Sequence, residues 1–411
     1  MIKSSILLLS LLFTSVVCGQ ENSNEVLKIF LDCNVCDNTY IKQNLGHVEF
    51  VRDQSLGNVH LFFVTQGNGS GGRQYEIDFI GKNQLESINF KLEFFLDSNM
   101  TSDDRRNNIL EYIKLGLVRF WIATGNYYDV SVSVPKPADE ENKEDINDPW
   151  NYWVFRLGAG GNFRGQEANN SSNLNFNVSA KRVTEQNKFS LNAGFSENKS
   201  TFTYDGTDIV AINNNKYLNV NYIISINDHW SYGFFGRTGT STFSNFDNYL
   251  QFQPAIEYNF FKYENSAKKQ LILSYRNGIR YNDYIERSVF DEVNELLWQH
   301  SVLLGGSVRQ EWGNINGEAS FNQFLHDITL NSLGFYLGAN IRVFKGFNFN
   351  VGGNYRITRN QVNLPAGDVS LEELLLQQQQ LQSGYNYRVN VGFSYQFGSI
   401  YNSIVNPRFN F

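Results

Sequence analysis

From Trp150 to Phe411 apolar and polar side chains alternate through one segment after another, and short polar turns separate the segments. Successive residues of a strand point to opposite faces, so each segment makes a strand apolar on one side and wet on the other. Leu333, Phe335, Leu337, Ala339, Ile341 and Val343 fall on one face, and Gly334, Gly338, Asn340 and Arg342 on the other. The pattern recurs in Trp153 to Gly160, Leu174 to Lys181, Phe347 to Ile357 and Tyr387 to Phe397. It predicts a twelve-stranded antiparallel transmembrane β-barrel over 150–411, ending in a short C-terminal tail. Inside a bilayer only helices and closed barrels satisfy their backbone hydrogen bonds, and bacterial barrels have even strand numbers.

Composition agrees. The 411 residues include 34 Phe, 22 Tyr and 33 Gly but only six Pro and two Met, which favours strands and tight turns over helical bundles. Beyond the first residues no apolar run approaches the roughly 20 residues of a membrane helix. A soluble β-sandwich or propeller would also alternate, but it would explain neither the long strands with one uniformly apolar face nor the rim of Trp150, Trp153, Trp230 and Trp312. Indole rings favour the membrane interface. Connections near Glu185-Gln186, Asn227-Asp228, Gly313-Asn314 and Lys345-Gly346 read as tight. Ser196 to Asn213, Tyr284 to Glu295 and Thr358 to Ser383 read as long loops, the last carrying a surface helix over Leu371 to Gln382. Short turns at one end and long loops at the other fit periplasmic and extracellular sides.

Ahead of the barrel, Lys3, the apolar Ile6 to Phe13 and the small residues around Val17-Cys18-Gly19 read as a signal peptide over 1–19. Cys18 offers a lipoprotein alternative, against which stands the bulk of Val17. Residues 20–134 read as a small α+β domain, expected in the periplasm. Its strands fall at Val26 to Leu31, Val48 to Val51, Val59 to Thr65, Tyr75 to Ile80 and Phe90 to Leu96. Tyr40 to Leu45 makes a short helix. A longer helix is capped by Thr101 or Ser102, carries Ile109, Ile113, Leu117 and Phe120 on one face, and ends at Gly125. Residues 135–149 form an acidic, proline-bearing linker. The net charge of −7 comes without any basic run, so nucleic acid is not an expected partner.

Leu31-Asp32-Cys33-Asn34-Val35-Cys36-Asp37 with Val51-Arg52-Asp53, and Tyr395 to Tyr401 with Ile404 to Phe409, resemble the two ends of uncharacterised Bacteroidetes-type outer-membrane proteins. The resemblance implies an outer-membrane address among lipid and a barrel, and brings no activity. The final strand also resembles the aromatic-ended signal read by barrel-assembly machinery, although here a tail from Gly398 to Phe411 follows it.

Cys33 and Cys36 form C-x-x-C between a strand and a helix. Thioredoxin-like sites place a redox pair there, but they use a later cis-proline, and no proline precedes Pro135. A structural disulfide is the better reading, and two cysteines are too few for a zinc site. His300-Ser301 invites comparison with the outer-membrane phospholipase, yet the H-x-S-N-G pattern is missing and adjacent residues face opposite ways. We expect no catalytic residue, no metal and no cofactor.

Strand parity turns Arg156, Arg164, Lys181, Arg237, Arg276, Arg280, Arg309, Arg342, Arg356 and Arg388 inward, with Glu257 and Glu318 as acidic company. Basic residues around a pore favour anions. The sequence therefore points to passive passage of small polar or anionic solutes through an Arg-lined lumen. The alternative is a non-conducting envelope protein whose N-terminal domain binds a periplasmic partner or cell wall, its arginines merely bridging to polar neighbours.

Overall fold

The structure is a computed structural model, and it describes residues 26–69, 71–125, 148–204, 206–367 and 380–401, with 405, 406 and 408. The signal peptide, the linker and most of the expected Leu371 to Gln382 helix lie outside the described residues.

The N-terminal unit has the order β1 (Leu27–Asp32), α1 (Asn38–Asn44), β2 (Val48–Phe50), β3 (Val59–Gly67), β4 (Arg73–Gly81), β5 (Asn89–Leu96) and α2 (Ser102–Ala123). Its sheet runs β2-β1-β3-β4-β5, parallel at β1 and antiparallel from β3 onward. Asp37 caps α1 by accepting from the Tyr40 N–H, and Thr101 caps α2 by accepting from the Asp104 N–H. Gly125, at φ +76°, takes the left-handed conformation that lets the chain leave α2. Ile109, Ile113, Leu117 and Phe120 of α2 are buried on Ile77, Phe79 and Phe94 of the sheet. Gly116 makes that approach possible, because a Cβ there would overlap the Phe79 ring. Among the described residues no helix is long and apolar enough to cross a membrane.

One strand of this sheet carries more information than its neighbours. Val59 to Val64 is buried at every position, including His60. A strand with both faces covered reads as an unbroken apolar run. Here α2 covers one face, and the second face, with Phe30, Asp32, His60 and Phe62, meets the barrel.

The barrel strands are β6 (Trp153–Gln166), β7 (Asn169–Val183), β8 (Asn187–Tyr204), β9 (Thr207–Ser225), β10 (Trp230–Ser241), β11 (Phe246–Asn259), β12 (Lys269–Tyr284), β13 (Asn294–Gln310), β14 (Gly313–Phe324), β15 (Asn331–Phe344), β16 (Phe347–Thr358) and β17 (Tyr385–Tyr395). Each pairs antiparallel with its sequence neighbour in one twelve-stranded sheet. Their lengths of 11 to 19 residues meet the about 9–11 residues that a tilted strand needs to cross a membrane. The outer face is apolar and exposed at Leu157, Phe176, Leu218, Phe252, Leu273, Phe335 and Val391. So large an exposed apolar surface marks a contact with something other than water.

Two expectations need correction. Ser196 to Asn213 is a hairpin rather than a loop: β8 and β9 stay in register up to Tyr204↔Thr207. Its Asn- and Ser-rich inner face resembles loop composition, while Phe202, Ile209 and Val210 keep it extended. The second concerns closure. The ladders run from β6 to β17, and among the described residues none joins those two strands, which makes them the two sides of the barrel's seam.

Rings gather at the short-turn rim. Trp150 and Trp153 pack on Phe155, Trp153 on Phe189, Trp230 on Tyr258, and Phe344 on Phe347 and Tyr395. Trp312 occupies the turn between β13 and β14.

Candidate functional site

Cross-strand register places every sequence-predicted basic residue on one face. Arg156 pairs with Ser179, Ser179 with Asn192, Asn192 with Asn219, Asn219 with Arg237, Arg237 with Gln251, and Gln251 with Arg280. Arg164 and Lys181 share that parity on β6 and β7, as do Glu257, Arg276, Arg309, Glu318, Arg342, Arg356 and Arg388 along the remaining ladders. Most of their neighbours on this face are Asn, Gln, Ser or Gly. The side chains divide into three levels.

At the short-turn end the N-terminal unit sits across the opening. Asp32 receives both Nη atoms of Arg342, each at 2.6 Å, while Arg342 also stacks over Phe30 at 5.1 Å. Glu311, in the β13–β14 turn, lies 3.2 Å from His60 Nδ1 and 2.9 Å from Lys82 Nζ. Asp32 is 3.3 Å from the other ring nitrogen of His60. Lys268, in the β11–β12 turn, reaches Glu76 at 2.6 Å and Asp78 at 2.7 Å. Arg309 donates to the Thr65 carbonyl at 3.3 Å. The Gly346 N–H donates to Asp53 at 3.1 Å, and Arg52 donates to the Ile400 carbonyl at 3.0 Å. At the far side of the mouth, the tip of the β3–β4 hairpin at Gly71 comes close to Arg156.

These contacts change how Arg342 and Arg309 are read. Sequence parity assigned both to a solute path, but Arg342 has a carboxylate partner and Arg309 a carbonyl, both from the docked unit. Burial pushes the Asp32 carboxyl up, and its hydrogen bonds from His60 and Arg342 more than offset this, leaving it below the usual value. Glu311 is pulled down to about 2, chiefly by His60, with burial opposing and Lys82 assisting. Burial dominates at Asp78, which is raised despite Lys268.

At the long-loop end the described parts of the segment between β16 and β17, 359–367 and 380–384, fold as a strap onto distant strands. Ala366 donates to the Arg287 carbonyl and Val289 to the Leu364 carbonyl, both at 2.8 Å, and Gln380 donates to the Phe243 carbonyl at 3.0 Å. Asn245, at φ +58°, holds the Glu286 and Asn363 carbonyls through one amide. Val362 of this strap joins Leu297, Phe324 and Leu330 in a buried apolar cluster.

Between the two ends lies a cavity of about 750 Å³ lined by β8 to β12, with Asn192, Asn219, Asn221, Arg237, Gln253 and Arg276 on its wall. Arg237 donates to Asn219 at 3.0 Å, and Arg276 lies 4.0 Å over the Phe235 ring. Arg280 donates to Asn282 at 2.7 Å and stacks over Phe246 and Tyr249. Glu257 accepts from Tyr263 at 3.1 Å. Arg164, Lys181, Arg356 and Arg388 lie near the seam and are exposed.

Cys33 and Cys36 are joined by a disulfide. His300 faces outward, 3.0 Å from Gln323, with Ser301 on the opposite face.

The fold is therefore that of a membrane β-barrel of outer-membrane type with a small α+β unit docked over its short-turn mouth. No protein-family model matches the chain, and no curated protein sequence matches it. Among solved structures the chain is similar to the translocator domain of the autotransporter NalP from Neisseria meningitidis, at 12% identity over 60% of this chain and 87% of that one, with a TM-score of 0.23. A likeness at that level carries no argument, and the barrel rests on its own ladders. The narrower Bacteroidetes-type resemblance finds no support in these comparisons.

Proposed function

We propose that the protein is an outer-membrane conduit for small polar or anionic solutes, gated by its N-terminal domain from the periplasmic side. The observation that carries this reading is the polar, Arg-bearing cavity of about 750 Å³ between a charged, hydrogen-bonded cover at one end and a buried apolar cluster at the other. A barrel serving only as an anchor has no need of inward arginines such as Arg237 and Arg276 without an ion-pair partner among the described residues, since a desolvated charge is costly. A cover held largely by ion pairs and single hydrogen bonds is one that can be released, because such contacts weaken with salt and pH.

The competing reading is a non-conducting envelope protein, and the covers at both ends favour it. On that reading residues 20–134 bind a periplasmic protein or the cell wall. Osmotic swelling of proteoliposomes separates the two. The conduit reading expects slow swelling with intact protein in an iso-osmotic small organic anion, and faster swelling with Asp32→Ala. Swelling no faster than in empty vesicles for both proteins would leave the anchor.

A further inference from the structure

Arg237, Arg276 and Arg280 share the inner face of β10 and β12 without an ion-pair partner among the described residues. Arg237 and Arg280 flank Gln251 across three adjacent strands, and Arg276 lies two inward positions from Arg280 on the same strand, with Gly278 between them. Arg237 repels both Arg276 and Arg280, while the charge of Glu257 acts on Arg276 and that of Glu295 on Arg280 from beyond contact distance. Among the described residues no carboxylate lies within ion-pair distance of any of the three. Glu257, diagonal to Arg276, and Glu295, diagonal to Arg280, are the acids nearest in register, and the hydroxyls of Tyr263 and Tyr284 donate to them. The guanidinium groups rest instead on amides and ring faces, Arg237 on Asn219, Arg276 on Phe235 and Arg280 on Tyr249. Two guanidinium groups, Arg237 and Arg276, on the wall of one polar cavity with no carboxylate in contact suit an anion that arrives from outside.

The remaining wall narrows the chemistry. Asn192, Asn219, Asn221 and Gln253 offer amides, each able to donate and accept, which suits hydroxyl groups. Tyr217 and Tyr249 add ring faces and further hydroxyls at the same cavity. Its volume of about 750 Å³ lies within the roughly 300–1,000 Å³ of small-molecule sites. A fully apolar ligand would leave these groups unpaired, and a bare halide would leave the amides idle.

We infer that the cavity on β8 to β12 binds an acidic sugar, its anionic group held by Arg237 and Arg276 and its hydroxyls by the Asn and Gln side chains. The inference rests on the reading of the interior as a water-accessible lumen, and it names the ligand that the lumen selects. A hexuronate carboxylate and a sugar phosphate share the chemistry described.

The test is titration calorimetry on folded, detergent-solubilised protein, intact and with Asp32→Ala to open the mouth, using glucuronate, glucose 6-phosphate, glucose and acetate. The first, the second or both bind at least about tenfold more tightly than glucose or acetate, since one bidentate charged contact is worth about that factor. Whichever of the two binds identifies the source of the anion. Arg276→Met keeps the stem on Phe235 and loses at least about tenfold in affinity, whereas Arg276→Lys retains part of it. Glucose binding as well as glucuronate, Arg276→Met binding like the parent, or no heat from either acidic sugar with the mouth open would overturn the inference. Swelling without binding retires the sugar site and leaves the conduit. Binding without swelling retires the conduit and leaves the site.

Discussion

Asp32 and Arg342 stand 310 positions apart in the chain and meet through two hydrogen bonds of 2.6 Å. The first ends the second strand of a small α+β sheet, and the second lies on the inner face of a barrel strand. That pair ties the two units together and takes one arginine out of the lumen.

Cutting the pair from either side releases the cover. Asp32→Ala leaves Arg342 and His60 half-satisfied in a partly buried setting, and breaking one side of a buried pair costs about 3–5 kcal/mol. With Arg342 at 30% exposure, about 2 kcal/mol is the expected loss of docking. Hydrogen exchange at Val59 to Val64 should quicken in Asp32→Ala and in Arg342→Ala. The swap Asp32→Arg with Arg342→Asp should recover part of the protection. Unchanged exchange in both single variants would show that the pair holds nothing in place.

Acid should open the same contact. Glu311 is lowered from 4.5 to about 2 in the docked state, and Asp32 is lowered as well. A carboxyl whose pKa is depressed on docking favours the docked state fully above its undocked value, and that preference fades as pH falls toward the docked value. Docking therefore weakens between about 4.5 and 2. Asp78, whose pKa is raised, works in the opposite direction and softens the loss. Protease cleavage within 126–147 followed by gel filtration at pH 6 and pH 3 reads the effect. Equal retention of the cut N-terminal fragment at both values would contradict it.

The seam makes a separate prediction. Unpaired N–H and C=O groups along β6 and β17 would each cost several kcal/mol in hydrocarbon, so the two strands must pair once the barrel lies in a bilayer. Single cysteines placed along Leu157 to Phe163 and along Val389 to Phe393, combined in pairs, should yield a disulfide at one register in liposomes. A panel with no cross-link at any register would mean that the edges are covered by something else.

The Cys33–Cys36 disulfide closes a short loop at the start of α1. Chain-entropy arguments give it about 2 kcal/mol, so Cys33→Ser with Cys36→Ser should lower the melting temperature of the N-terminal unit while barrel mobility on gels stays unchanged. Two reactive thiols in protein taken from the envelope would remove the disulfide from the account.

Much of this architecture could be read from residue order, because alternation is a local property. Phe335 and Leu337 declare their face without reference to anything distant, and Thr101 announces a helix start from the residues beside it. The inward parity of Arg237 and Arg280 follows from the same counting. What counting could not show was partnership over long separations. Nothing near Asp32 indicates Arg342, and Glu311 looks like an ordinary turn acid until His60 and Lys82 arrive. One hint was present: His60 interrupts the apolar run Val59 to Val64, and a polar residue buried on the second face of a strand needs a partner beyond its own sheet. The strap over the long-loop mouth was equally hidden, because Val362 and Leu364 find their burial against strands far away in the sequence.

The measurement closest to the centre of the account is single-channel conductance of the protein in planar bilayers, intact and with Asp32→Ala. The account predicts brief, rare openings for the intact protein, and longer, anion-preferring openings for the variant. Silence from both, or the same conductance and open time in both, would contradict it.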